Sequence, residues 1–311
     1  MLKRKKFWKR VLYVFGVIVL LLVTAIIYMV QVSKVPDPTI RDMSSLKLQR
    51  TQPSKGFYTL NDNWFRKSKS GLYELYVAGD PFERGVINGK LTKELVVRQE
   101  DHFTDQIKKM VPSPFTRQYL KYFIGWFNRN LDKNITEEYR DEIFGVSESA
   151  SEKYKWLGSN YQRILNYHAA HDIGHALQNM AMVGCTSFGT WDERSADSTM
   201  IIGRNFDFYV GDKFAEDKIV AFFNPTQGHK FMTITWGGFI GAVSGMNEDR
   251  AGQGNRLEPV EGIEREQDPA VDTHLEVLKA EAAGAIAGRR LDGGRVRRER
   301  GSHCFAYGVG D

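Results

Sequence analysis

Gly184-Cys185-Thr186-Ser187-Phe188 and Gly203-Arg204-Asn205-Phe206-Asp207-Phe208, with Gly203 eighteen residues after Cys185, are the stretches on which the reading of this chain turns. The cysteine follows a small residue at the end of a helix-rich region. A run rich in β-branched and aromatic residues begins directly after it. Residues 186–191 and 199–204 both have strand composition, so the two stretches read as neighbouring strands. On that reading alone, Arg204 and Asp207 are equally a salt bridge on a hairpin.

Upstream, the pattern is helical. Residues 83–110 keep helical spacing until Pro112 and Pro114 end it. Residues 116–130 carry Tyr119, Leu120, Tyr122, Phe123 and Phe127 on a broad apolar face. Phe123, Trp126 and Phe127 are expected in the core. Thr136 is placed to cap a helix running to about residue 155, and another helix is expected over 161–180. A short alternating segment, 71–77, precedes all of these as a strand. Downstream, 218–223 and 230–236 also read as strands, set off by Asn224-Pro225 and Gln227-Gly228. The body is helical first and mostly strand afterwards, an α+β pattern.

Residue usage changes again near Glu248. Of the chain's aromatic residues, only Phe305 and Tyr307 lie beyond it, and Lys279 is the only lysine there. Arginine is abundant instead. Such a tail has little with which to build a core. Residues 249–311 therefore read as an Arg/Gly/Ala-rich segment from a shifted reading frame, with one helix over about 272–287. A natural low-complexity basic tail is the alternative.

At the other end, Lys3, Arg4, Lys5, Lys6, Lys9 and Arg10 precede an uncharged apolar run over 11–30. About 20 helical residues cross a ~30 Å hydrocarbon core. The basic flank, 1–10, favours a cytoplasmic N-terminus, with the body periplasmic or extracellular. A cleaved signal peptide is the rival reading, but Tyr28-Met29-Val30-Gln31-Val32 suits cleavage poorly. Residues 31–57, with Pro36, Pro38 and Pro53, read as an extended linker lifting the body off the membrane. The net charge of +5 sits largely in the first ten residues and gives no reason to expect nucleic-acid binding.

Three motifs, in order, together resemble the penicillin acyltransferase family of cysteine N-terminal-nucleophile hydrolases, related to acid ceramidase and choloylglycine hydrolase. The first is Gly79-Asp80-Pro81-Phe82-Glu83-Arg84-Gly85 with Gly89. The second is Cys185-Thr186-Ser187-Phe188 with Gly203-Arg204-Asn205 and Asp207. The third is Ser244-Gly245-Met246-Asn247-Glu248. The resemblance implies an αββα sandwich with 58–184 as the helix-rich α-chain segment and 185–248 as the start of the β domain. It implies self-cleavage between Gly184 and Cys185, with Cys185 as nucleophile. The freed α-amine, of pKa ~8, then accepts the thiol proton. In the family the arginine orients the nucleophile and the aspartate holds the α-amine, roles that fall on Arg204 and Asp207. Asn247 is the candidate for structural or oxyanion support. The family continues with a glycine and a strand ending in an asparagine. Here Asp249-Arg250-Ala251-Gly252-Gln253-Gly254 follows, so the sandwich is expected to be incomplete.

The resulting expectation is a self-processing cysteine amidohydrolase or acyltransferase. Its substrate would be a small-molecule amide or an acyl-coenzyme A, with no cofactor. The alternative is a non-catalytic membrane-tethered binding protein on the same scaffold. A third reading rests on His168, His171, Asp172 and His175, whose i, i+3, i+4, i+7 spacing gives one helical face suited to zinc. The expected answer there is a structural face and no metal. The two cysteines, Cys185 and Cys304, also admit a disulfide.

Overall fold

The computed structural model describes residues 2–170, 183–208, 211–242, 244–248 and 306–308. The chain is α+β, with an open mixed sheet and one long apolar helix at the N-terminus. That helix, α1 (Leu2–Val32), contains no proline, and an 18-residue window within Lys6–Val32 has a mean hydropathy of 2.8. It is long and apolar enough to cross a membrane.

The segment after α1 is not a free spacer, contrary to the linker expected from its prolines. Ser33 is buried, and its carbonyl accepts from Gln162 Nε2 at 2.5 Å. Val35 belongs to the helical core. Lys90 Nζ donates to the carbonyls of Leu46 (2.5 Å) and Leu48 (2.6 Å). A meander then follows: β1 (Thr51–Ser54), β2 (Phe57–Leu60), β3 (Asn63–Lys67) and β4 (Tyr73–Gly79). Pro53 is tolerated because β1 lies at the sheet edge, where a missing N–H is harmless.

Six further strands are described: β5 (Val183–Asp192), β6 (Ser198–Phe208), β7 (Ile219–Pro225), β8 (Phe231–Thr235), β9 (Gly245–Asn247) and β10 (Ala306–Gly308). Among the described residues they form two sheets, of orders β1-β2-β3-β4-β7-β8-β9 and β10-β5-β6. Within the larger sheet β4 runs parallel to β7, and the other neighbours are antiparallel.

The helices are α2 (Pro81–Leu91), α3 (Lys93–Met110), α4 (Pro114–Phe127), α5 (Glu137–Ser147) and α6 (Asn160–His168). The helical run from residue 83 is broken at Thr92, whose hydroxyl bonds back to the Asn88 carbonyl at 2.7 Å. Thr136 sits at the N-cap of α5 but makes no side-chain cap bond, and the helix stops at Ser147 rather than near 155. The part of the last expected helix over 171–180 and the expected tail helix lie outside the described residues. Phe123 and Phe127 are exposed on α4, not in the core.

The Gly79–Gly89 motif has a packing explanation. Gly79 ends β4 at φ +123°, and Pro81 opens α2. Helices α2 and α5 touch backbone to backbone: a Cβ on Gly85 would lie 2.0 Å from the Glu142 carbonyl oxygen. One on Gly145 would lie 2.4 Å from that of Phe82. Gly85→Ala is therefore expected to destabilise the fold by ~1–3 kcal/mol or more through overpacking, read as a lower urea midpoint with unchanged slope.

Arg84, from the same motif, is buried at the seam. Its guanidinium reaches Glu142 and Glu138, both at 2.8 Å, and the Gly79 carbonyl at 3.1 Å. Burial opposes the Arg84 charge, but the two carboxylates overcome it and hold the group protonated. On the sheet side, Leu75, Val77, Ile87, Leu91, Ile219 and Phe223 form the core between α2 and the strands.

Candidate functional site

The two stretches that open the argument form one antiparallel hairpin. Strand β5 pairs with β6 in a register that sets Gly184 opposite Asp207, Cys185 opposite Phe206, and Ser187 opposite Arg204. Both strands run further than composition indicated, to Val183 and Phe208, so the nucleophile candidate lies inside the ladder. Cys185 and Arg204 have the same register parity and are diagonal neighbours, a relation that separates backbones by about 7–8 Å. Asp207 has the opposite parity and is the register partner of Gly184. Cys185, Arg204, Asp207 and Gly184 thus come together within four successive rungs of one hairpin.

The far end of the hairpin is closed by an exposed turn. Asp197 accepts from the Thr199 hydroxyl (2.6 Å), the Thr199 amide (3.1 Å) and the Ser195 hydroxyl (3.1 Å). These bonds, that of the Thr199 side chain foremost, hold its carboxyl below the usual range. Ser198, at φ +61°, completes the reversal.

Asn247 lies in the other sheet. It is buried at the end of β9, in register with Phe231 of β8. Glu248 then clamps this edge: its carboxylate accepts from the Lys230 amide at 3.0 Å, and its own amide donates to the Lys230 carbonyl at 2.9 Å. Gly245 is required by closeness, since a Cβ there would come 2.3 Å from the Met232 carbonyl oxygen. The Ser244–Glu248 motif is therefore a strand ending at a buried asparagine.

His168 has a structural task that sequence spacing did not disclose. Nδ1 lies 2.7 Å from the Ile164 carbonyl, and Nε2 accepts from the Ile240 amide at 2.7 Å. The ring also stacks on Phe239, with centroids 4.8 Å apart. Both nitrogens are committed to backbone, which fixes the Nδ1–H tautomer and leaves no lone pair for zinc. His171, Asp172 and His175 lie outside the described residues. Around it, Phe103 of α3 stacks on Tyr167 of α6, and Phe214 bridges Phe103 to Trp236. These contacts pin the 236–240 loop, which leads into β9.

Burial lowers the His168 pKa to about 4, against a smaller opposing effect of the Ile164 carbonyl. The folded value lies below the ordinary 6.5, so the unfolded chain binds the proton more readily. Stability from this group is complete above about pH 6.5 and is lost as pH falls toward 4, by up to ~3 kcal/mol. His168→Phe keeps the stack but orphans the Ile240 amide, and is expected to cost ~1–3 kcal/mol at pH 7.5. It should also remove the decline in urea midpoint between pH 7 and pH 5. An unchanged decline in the variant would place its origin elsewhere.

A cleft of about 410 Å³ lies on the helical side, lined by Asp37, Glu148, Lys155 and Tyr161 among others. None of the hairpin residues lines it.

No protein-family model matches the chain. It is similar to an uncharacterized protein of Archaeoglobus fulgidus, 22% identical over 191 residues, covering 57% of this chain and 31% of that one. It is also similar to two Dictyostelium discoideum proteins. Protein dcd1B is 23% identical over 192 residues, covering 56% of this chain and 36% of the relative. Protein dcd1A is 24% identical over 201 residues, covering 57% and 42%. The matched part thus spans about a third to two fifths of the length of these relatives.

Proposed function

We propose that the chain is a self-processing cysteine amidohydrolase or acyltransferase of the N-terminal-nucleophile type, built on an αββα sandwich and working through Cys185. The observation that carries this reading is the β5–β6 register, in which Gly184 faces Asp207 and Arg204 stands one diagonal from Cys185. In the maturation step the Cys185 sulfur attacks the Gly184 carbonyl carbon, and the peptide nitrogen leaves as the Cys185 amine. Water then hydrolyses the thioester, leaving a Gly184 carboxylate and a free thiol. The new α-amine, one rung from the Gly184–Asp207 pair, serves as base for the same thiol.

The mature thiol would attack an amide or thioester carbonyl, expel the amine or thiol, and hold the acyl group until water or an acceptor amine takes it. Asn247 would support the site from β9. With α1 spanning the bilayer and its basic flank cytoplasmic, the body would work on the far side. The break in the family pattern after Glu248 favours a second reading, a tethered binding protein that has lost the chemistry. N-terminal sequencing separates the two. The enzyme reading expects a fragment beginning Cys185-Thr186-Ser187; an uncut protein that stays uncut with its frame restored supports the binding protein.

A further inference from the structure

We propose that α4 is an interfacial membrane helix, sunk by its aromatic face into the leaflet from which α1 emerges. This rests on α1 spanning the bilayer and is independent of the chemistry at Cys185.

Helix α4 carries aromatic residues at every fourth position: Phe115, Tyr119, Phe123 and Phe127. Residues four apart share a helix face. Here that face is uncovered, with exposures of 84%, 59%, 48% and 54%. Ile124 beside it is 38% exposed. A soluble domain seldom leaves such a stripe to water.

The occupant follows from where α4 is held. About 20 residues of α1 at 1.5 Å each fill the hydrocarbon core, so a span beginning near residue 11 ends near residue 30. Ser33 is the first buried residue past that point, and it packs against the C-terminal end of α4. A Cβ on Gly125 would lie 2.7 Å from both the Cβ and the carbonyl oxygen of Ser33. The bond from Gln162 to the Ser33 carbonyl and the burial of Val35 leave no slack between membrane and body. The C-terminal end of α4 is therefore fixed at the depth where the chain leaves the lipid.

Its chemistry suits that depth. Tyrosine and tryptophan favour the headgroup level, and α4 has Tyr119, Tyr122 and Trp126. The helix contains Arg117 and Lys121 but no acidic residue, and Arg129 follows, its guanidinium 4.8 Å from the Trp126 ring centre. Cations beside an apolar stripe match anionic headgroups above acyl chains. A lipid surface accounts for both features.

The test places the photo-crosslinking residue p-benzoylphenylalanine at single sites in the full chain. The protein is reconstituted into phosphatidylcholine vesicles containing about a quarter phosphatidylglycerol, an anionic fraction that complements the cations of α4. Position Leu20 in α1 reports lipid, and Lys69 in the β3–β4 turn reports solvent. On irradiation, Tyr119 and Phe123 are expected to give lipid adducts by mass spectrometry in yields comparable with Leu20, and Lys69 none. Adducts at Leu20 without adducts at Tyr119 and Phe123 would overturn the proposal. Crosslinks from these sites to a second copy of the chain would do so too. Absence of lipid at Leu20 would remove the spanning helix on which it rests.

Discussion

A precursor whose reading frame is restored after Glu248 is expected to be recovered as two chains, split between Gly184 and Cys185, and its Cys185→Ala variant as one. The effect is all or none because alanine has no nucleophile to form the thioester. Cys185→Ser should split far more slowly, since a thiol of pKa ~8.5 ionises much more readily than an alcohol. Arg204→Ala and Asp207→Asn test the rest of the hairpin. Each should slow cleavage without unfolding the protein, because the register places them one diagonal from Cys185 and opposite Gly184. The chain with its present tail is expected to cut slowly or not at all. An oxyanion donor alone is worth ~10²–10³ in rate, and on the proposed reading the strand that would supply it is replaced by Asp249-Arg250-Ala251-Gly252. Intact mass and N-terminal sequencing read all six proteins. A restored chain that stays whole, yet hydrolyses amides with Cys185 replaced, would sink the mechanism.

The hairpin was legible in sequence because β-branched and aromatic runs flank the motif residues. Its length was not. Gly184 interrupts the strand signal after Val183, and pairing with residues 206–208 draws 183–185 into the ladder. The same limit applies to β1–β3. Pro53 and Lys55-Gly56 resemble a spacer, and the partner that makes Thr51–Ser54 an edge strand is β2 itself. The α4 stripe was visible, but amphipathicity does not say what covers a face. A core and a lipid surface ask for the same residues, and only the exposure of Phe115, Tyr119, Phe123 and Phe127 in the folded chain sets a core aside. His168 shows the converse. Its helical spacing from His171 and His175 suggested a shared role, whereas its partners are the backbones of Ile164 and Ile240, the latter 72 residues away.

Removing Arg84 is expected to damage the fold severely. Arg84 and Glu142 are each about 3% exposed and lie 2.8 Å apart where α2 meets α5. Burial pushes the Glu142 carboxyl upward, and the guanidinium opposes that shift. Arg84→Met keeps much of the aliphatic volume but strands a carboxylate where water cannot reach it. Breaking a buried pair from one side costs ~3–5 kcal/mol. The variant also loses the bond to the Gly79 carbonyl that ties the β4–α2 turn together. Glu138 is 43% exposed and can turn to solvent, so the burden falls on Glu142. The double variant Arg84→Met, Glu142→Leu should therefore recover most of the loss, because two apolar groups leave no buried charge. Urea midpoints for the two single variants and the double close the cycle. A loss below about 1 kcal/mol in Arg84→Met, the level of an exposed ion pair, would show that Glu142 reaches water and that the seam between α2 and α5 is open.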